Sequence, residues 1–361
     1  MKANILLTGG AGFIGSNFIP YFLEKYPEYN LINLDLLTYA GNLEKLKDIE
    51  NNTRYKFIKG DVCNRELVEF IFKEYEINGV IHFAAESHVD NSIKQPDIFI
   101  KTNINGTHTL ADVAYNTWMK KPFVYKQKYT NSESSDVQSI KIPRFHHIST
   151  DEVYGTLGST GFFTEKSPYA PNSPYSASKA GSDMIVRSYH HTYGLNTVIT
   201  NCSNNYGPKQ HDEKLIPNII RNAIKGSPIP IYGDGKNVRD WLYVLDHCKA
   251  IDLVYHNGKA GDTYNIGGRN EKDNNYVATQ ICQILDKLEP KQKGSYKNQI
   301  IYVEDRAGHD RRYAIDASKI ENDLGWKAEE NFESGILKTI KWYLNEYEGT
   351  NNDKCNQTLP A

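Results

Sequence analysis

Residues 8–16 read TGGAGFIGS, between an apolar run, ANILLT (3–8), and a stretch with helical spacing from Phe13 to Tyr26. A glycine-rich turn between strand and helix has a specific use. Glycine permits the tight turn, lets backbone approach a pyrophosphate, and lets the helix pack closely on the strand, with the phosphate facing the helix N-terminus. Two spacings fit: Gly10, Gly12 and Gly15 match GxGxxG, and Gly9, Gly12 and Gly15 match GxxGxxG. Asp35 closes the next apolar run, LINLD (31–35), 20 residues after Gly15. An acid there accepts hydrogen bonds from a ribose 2′-hydroxyl and repels a 2′-phosphate, which favours NAD over NADP. The competing reading is a purely structural turn, and the strand–turn–helix context argues against it.

Outward from the turn, strand and helix patterns alternate. YKFIKGD (55–61), GVIHFAA (79–85), RFHHIST (144–150) and NTVITN (196–201) read as strands, the last as the sixth. ELVEFIFKEYE (66–76), the region from Pro96 to Trp118, and SPYSASKAGSDMIVRSYHHTYG (173–194) read as helices. Ser173 is placed to N-cap the last of these, with Pro174 in its first turn. Such alternation implies an α/β fold, a Rossmann-like doubly wound parallel sheet. Beyond about residue 204 the elements shorten, and KLIPNIIRNAIKG, NVRDWLYVLDHCKAIDLVYHNG and NYVATQICQILDKL read as helices or helix-plus-turn units. The expected division is a dinucleotide-binding domain over 1–203, with segments of 204–270 returning to it, and a smaller C-terminal substrate-binding lobe over 204–348. The polar insertion 126–141 is expected as a surface excursion or disorder, and the tail 349–361 as unstructured.

The 361 residues suffice for one large or two ordinary domains. Lys and Arg number 42 against 44 Asp and Glu, a net charge of −2 with no block of one sign, which argues against a nucleic-acid binder. The five cysteines are scattered without metal spacing, as expected of a reducing, cytoplasmic compartment. The N-terminal apolar run is too short for a signal peptide, and no stretch approaches a transmembrane helix, so no membrane role is expected. The pairs His146–His147 and His190–His191 lack ligand geometry, and no metal is expected.

Two further patterns carry chemistry. Tyr175 and Lys179, four apart on one helix, share a face. A phenol is a weak base at neutral pH, and a nearby ammonium, helped by a positively charged nicotinamide ring, is expected to lower its pKa. An exposed Tyr–Lys pair is the commoner meaning of this spacing. The second pattern is Thr150, Asp151 and Glu152 directly after the strand RFHHIST. Open α/β sheets bind ligands at strand carboxyl ends, where adjacent carboxyls can serve as acid and base. A capping turn is the plainer alternative.

In order along the chain, TGGAGFIGS, Asp35, HFAAESHVD (82–90), ISTDEVYG (148–155), YSASK (175–179), NCSNNYGP (201–208), EKLIP (213–217), IYGDGKNVRDW (231–241) and RAGHDRRYAID (306–316) closely resemble the nucleotide-sugar epimerase/dehydratase branch of the extended short-chain dehydrogenase/reductase family. The likeness spans about residues 3–346; the insertion, the tail and RAGH in place of the commoner RPGH depart from it. It implies an NAD-dependent hydro-lyase converting dTDP-glucose to its 4-keto-6-deoxy form. C4 is oxidised, water leaves across C5 and C6, and hydride returns to C6.

By this resemblance Tyr175 takes the C4 hydroxyl proton, Lys179 supports it, Thr150 bonds the C4 oxygen, Glu152 is the C5 base and Asp151 the C6 acid. NAD is expected at Gly9, Gly12, Phe13, Ile14, Gly15, Asp35, Leu36, Leu37, Thr38, Asp61, Val62, Ala84, Ala85, Glu86, Ser87, Thr102, Tyr175, Lys179 and Asn205. The nucleotide sugar is expected at Thr150, Asn204, Lys214, Leu215, Pro230, Ile231, Tyr232, Arg239, Asn274, Arg306 and His309, with His88 at the rim. A homodimer through the helical regions 96–118 and 174–193 is also implied. The rivals are an epimerase on the same scaffold, which has no use for the acid–base pair, and a non-catalytic NAD-binding regulator, which would tolerate its loss.

Overall fold

β1 (Ala3–Thr8) runs through the centre of a seven-stranded parallel sheet, and its ILL core is sealed on both faces, as an unbroken apolar run requires. The computed structural model describes residues 3–130, 142–305 and 308–356. In chain order the elements after β1 are α1 (Phe13–Lys25), β2 (Tyr29–Asp35), β3 (Tyr55–Lys59), α2 (Arg65–Glu74) and β4 (Gly79–His82). Next come α3 (Val89–Lys94), α4 (Pro96–Phe99), a π-helical stretch Ile100–Asn105, and α5 (Gly106–Trp118). A small pair, β5 (Met119–Lys121) and β6 (Val124–Tyr125), precedes β7 (Arg144–Thr150), α6 (Pro174–Tyr193) and β8 (Thr197–Cys202). The remainder is β9 (Asn204–Tyr206), α7 (Leu215–Lys225), β10 (Ile229–Tyr232), β11 (Val238–Tyr243), α8 (Val244–Asn257), β12 (Thr263–Ile266), β13 (Glu271–Asp273), α9 (Asn274–Leu288), β14 (Ile300–Val303), α10 (Ser318–Leu324) and α11 (Phe332–Asn356).

The sheet order is β12-β8-β7-β4-β1-β2-β3. The chain therefore winds outward through β2 and β3, returns to place β4 against β1, and winds out the other way. The reversal leaves a crevice beyond the carboxyl ends of β1 and β4, where such sheets hold ligands. A seventh strand corrects the expected six: β12 pairs with β8 from Thr263↔Ile199 to Ile266↔Cys202, bringing part of 204–270 back to the sheet.

Helices cover both faces. On one, Phe18 and Phe22 of α1 pack with Val244, Cys248 and Ile251 of α8. On the other, Trp118 and Leu110 of α5 meet Phe72 of α2 and Val186 of α6. Each such fully buried large side chain stabilises the fold by roughly 1.5–3 kcal/mol. A separate core of Ile219, Ile231, Ile281, Phe332 and Ile340 holds α7, β10, α9 and α11 together as the second lobe.

The helix expected from 96 to 118 is interrupted, because Ile100–Asn105 adopts i→i+5 geometry around the buried Asn103. The tail expectation also needs correction, since α11 continues through 349–356. No proline interrupts it before Pro360, and extending an existing helix costs far less than starting one. Residues 131–141 of the insertion and 357–361 lie outside the described residues; Gln127–Tyr129 form a 3₁₀ turn. Among the described residues no helix is long and apolar enough to cross a membrane.

Candidate active site

The glycine turn lies at the crevice. Gly9 has φ +74, and a Cβ there would stand 2.6 Å from the Ala84 nitrogen, so the turn and the end of β4 touch backbone to backbone. Gly9, Gly12 and Gly15 line the crevice. Gly10 instead faces β2, donating its N–H to Asn33 Oδ1 at 3.0 Å, so the GxxGxxG spacing is the one that shapes the opening. Gly12 caps α1 with no side-chain hydrogen bond, and the first turn carries no acid. The first-turn N–H groups and the positive end of the helix dipole are therefore left for an anion. Asp35 shapes the opposite wall: Oδ2 accepts from Ala11 N–H at 2.9 Å and Oδ1 from Leu37 N–H at 2.8 Å. Each oxygen keeps a lone pair for a ribose hydroxyl. A glycine cradle, an uncapped helix start and an acid at the second strand fit an adenine dinucleotide.

The crevice is one cleft of about 350 Å³, continuous from the glycine turn to Thr150, Asp151, Glu152, Tyr175 and Lys179. It also gathers Phe13, Ile14, Asp35, Leu36, Thr38, Asp61, Val62, Ala84, Ala85, Glu86, Ser87, Thr102, Asn204, Asn205 and Lys214. Leu37 lies outside the lining. His88 caps α3, accepting from Asn91 N–H at 3.3 Å. Leu215 packs against the second-lobe core, and Ile231 is fully buried in it, while Pro230 and Tyr232 point outward from the same strand. Arg239 is buried with its guanidinium 4.3 Å from the centre of the Tyr313 ring, donating to the Asp310 carbonyl at 2.9 Å. Asn274 starts α9, and His309 pairs with Asp305 at 2.6 Å and 6.4 Å from the Tyr232 ring. Arg306 lies outside the described residues.

Thr150 ends β7 and caps a 3₁₀ turn, Asp151–Tyr154, accepting from Glu152 N–H at 3.3 Å. The capping turn and the cleft position thus coexist: the cap is what turns two adjacent carboxyls off the strand. Thr150 Oγ1 also donates to Asp151 Oδ1 at a long 3.5 Å. Burial, and then repulsion from Glu152, hold the Asp151 carboxyl well above the usual range, with Arg239 and Thr150 opposing. Burial thereby favours the protonated form of Asp151.

α6 begins with a capping box, Ser173 bonding Ser176 in both directions, with Pro174 in its first turn. This fixes Tyr175 and Lys179 on its inner face. The share of the phenol's expected lowering assigned to the ammonium is corrected here. Burial, and then Glu152, push Tyr175 well above its ordinary value, and only the Thr150 hydrogen bond opposes this among its leading causes. Lys179 Nζ is directed elsewhere, donating to the Ile148 carbonyl at 2.8 Å, and burial lowers it to about 8.

Lys101, Ser149, Cys202, Gln210 and Glu213 also line the cleft and were not singled out. Position alone could have flagged four of them: Ser149 precedes Thr150, Lys101 precedes Thr102, Cys202 follows the strand NTVITN, and Glu213 precedes Lys214. Gln210 carries no such signal.

Comparisons with known proteins converge on this architecture. The sequence profile of the family described as GDP-mannose 4,6 dehydratase matches residues 6–339. A dTDP-glucose 4,6-dehydratase of Salmonella typhimurium is 52% identical over 359 residues, covering 97% of this chain and 95% of the relative. The crystal structure of a dTDP-glucose 4,6-dehydratase from Bacillus anthracis in complex with NAD superposes with a TM-score of 0.81 at 46% identity, covering 96% and 98% of the two chains. A Streptomyces venezuelae dTDP-glucose 4,6-dehydratase, crystallised with NAD bound, gives a TM-score of 0.83 at 41% identity, with the same coverage. The chain belongs to the dTDP-glucose 4,6-dehydratase family, within the extended short-chain dehydrogenases/reductases.

Proposed function

We propose that this chain converts dTDP-glucose to dTDP-4-keto-6-deoxyglucose and water, with NAD as its cofactor. The observation that carries the reading is the pair Asp151–Glu152, one buried and raised well above the usual carboxylate range, the other half-buried, in the same cleft as Tyr175 and Lys179. Bound NAD supplies a hydride acceptor for sugar C4, a hydride for C6 and a positive charge in its oxidised ring.

The protein's part is proton traffic. Tyr175 Oη takes the C4 hydroxyl proton, and Thr150 Oγ1, which opposes the rise in the phenol's pKa, steadies the oxygen that becomes the ketone. The ketone acidifies the neighbouring C5 hydrogen, which Glu152 removes. Asp151 gives its proton to the C6 hydroxyl, which leaves as water. C5 and C6 are bonded neighbours, so the two carboxyls must aim at adjacent points, as residues on a 3₁₀ turn can and residues within a strand cannot. The first-turn N–H groups of α1 bind the pyrophosphate, and Asp35 the ribose. Lys214, Tyr232, Arg239 and His309 serve the nucleotide half of the substrate.

Two features of the assembly belong to the same reading. Ile98, Ile100 and Met184 are exposed on the helical regions 96–118 and 174–193, supporting a homodimer through these helices. Light scattering at micromolar concentration should give twice the chain mass. The chain acts in the cytoplasm, consistent with the free thiols Cys63, Cys202, Cys248 and Cys282.

Incubating the purified protein with dTDP-glucose and NAD should yield a 4-keto product lighter by one water. Epimerised sugar without a ketone would indicate an epimerase, and binding without turnover a regulator.

A further inference from the structure

One turn beyond Lys179, α6 carries a third buried polar residue, Asp183, so Tyr175, Lys179 and Asp183 form a stripe along one helix face. Lys179 and Asp183 do not touch directly. His147, on the adjacent strand β7, stands between them: its Nε2 lies 3.4 Å from Lys179 Nζ and 3.2 Å from Asp183 Oδ1. All three are buried, at 4%, 0% and 0% exposure for Lys179, His147 and Asp183. Only the other carboxylate oxygen is hydrogen-bonded: Asp183 Oδ2 accepts from the Tyr169 hydroxyl at 2.9 Å, and that hydroxyl accepts from Asn201 Nδ2 at 3.2 Å.

We propose that Asp183, acting through His147, is a positioning residue that maintains the charge of Lys179 and so the proton chemistry of Tyr175. The proposal rests on the dehydratase reading for what that chemistry does. A single Nε2 cannot serve both neighbours. The hydrogen bond it makes is to Lys179 Nζ, while Asp183 Oδ1 meets the ring as a close charge contact without a hydrogen bond. A neutral ring separates a buried cation from a buried anion, and neither charge is sustained there without the other.

The titratable groups facing the pair support this. His82 and His147 face it from the sheet, Cys202 from β8, Tyr154 and Tyr169 from the segments after β7, and Tyr175 from α6. Both histidines are held neutral by burial, and the Cys202 thiol is pushed up to about 12, so none of these supplies a negative charge near neutrality. Burial lowers Lys179 to about 8, with Asp183 the leading opposing influence, and raises Asp183 to about 6, with Lys179 the leading opposing influence. Both are charged together only in the window between.

The test is the pH dependence of kcat together with a direct titration of Lys179 in ¹³C-lysine-labelled holoenzyme. Asp183→Asn should move the alkaline limb, and the Lys179 resonance with it, down by at least about one pH unit, the effect of losing an opposite charge at this range. Tyr169→Phe, a milder change that removes a hydrogen bond from the carboxylate, should move the acid limb up. A lowered melting temperature with both limbs and the resonance unmoved would overturn the proposal. Should Asp183→Asn not fold, an unmoved acid limb in Tyr169→Phe overturns it equally. Because the resonance is read without turnover, a wild-type protein that forms no ketone would sink the dehydratase reading and leave this one decidable.

Discussion

Asp151 and Glu152 share a peptide bond but not an environment: Asp151 is 1% exposed, while Glu152 stays half-buried at the wall of the same cleft. The 3₁₀ turn capped by Thr150 creates the difference, and burial raises the Asp151 carboxyl, as the proposed acid and base roles of the two residues require. Removing each should therefore stop the reaction at a different proton. Asp151→Asn loses the proton for the C6 oxygen, and Glu152→Gln loses the acceptor for C5–H. Each is expected to lower kcat by about 10²–10⁴, the usual contribution of one positioned acid or base. Oxidation at C4 should persist, so a rapid quench analysed by mass spectrometry should find the undehydrated 4-keto sugar nucleotide. Full turnover in the double variant would contradict the assignment.

Thr150→Val should change the pH at which the enzyme works as well as its rate. The hydroxyl lowers the pKa of both Tyr175 and Asp151, so its removal raises both. In the proposed mechanism Tyr175 is a base and must be deprotonated, so the rising limb of kcat should move to higher pH. Asp151 is the acid there, and its higher pKa keeps it protonated further into the alkaline range. With the falling limb still set by Lys179, the bell should narrow from its acid side. A bell that loses height without moving would mean that Thr150 only orients the sugar.

Much of this fold was legible because six of the sheet strands are apolar runs bounded by glycine, asparagine or charge. β12 was not, because TYNI is short and half polar, and its membership depends on pairing with β8 far away in sequence. The glycine turn, Asp35 and the Tyr175–Lys179 spacing were readable as local geometry. What local geometry omits is burial. The sequence places an ammonium near a phenol, and only the packed structure shows Lys179 turned to the Ile148 carbonyl and the phenol pushed up. His147 illustrates the same limit: beside His146 it invites a metal reading, and in the sheet the two side chains face opposite ways, one to Asp183 and one to Thr200.

The glycines separate cofactor binding from folding. A Cβ on Gly9 would meet Ala84 backbone at 2.6 Å in a left-handed conformation, whereas one on Gly12 meets only the Gly9 carbonyl, at 3.2 Å. Gly9→Ala should thus destabilise the protein by about 1–3 kcal/mol, through strain and overpacking at a point where two strand ends meet. Gly12→Ala should fold nearly as well as wild type but bind NAD more weakly, since the new methyl stands at the uncapped start of α1. Thermal denaturation with and without NAD checks both. Equal loss of stability in the two variants would argue against the distinction.

Four buried histidines set the acid limit of stability. His82, His146 and His147 are held well below their ordinary value by burial, and His247 is lowered to about 3. In the unfolded chain each takes up a proton near pH 6.5, so below that the unfolded state binds more protons than the folded one and stability falls with pH. Asp151 and Asp183 act with the opposite sign: raised in the fold, they hold protons there that the unfolded chain has released, which favours folding as pH falls toward 4. Glu86, Glu165, Asp240 and Asp246 are raised as well and act with the same sign, so the fall in stability stays below the four-proton limit of roughly 5.5 kcal/mol per pH unit. Urea unfolding should show stability declining from pH 6.5 to 5, with a slope that stays below the four-proton limit. A flat or rising profile over that interval that persists in His147→Gln would mean that the raised carboxyls outweigh the histidines.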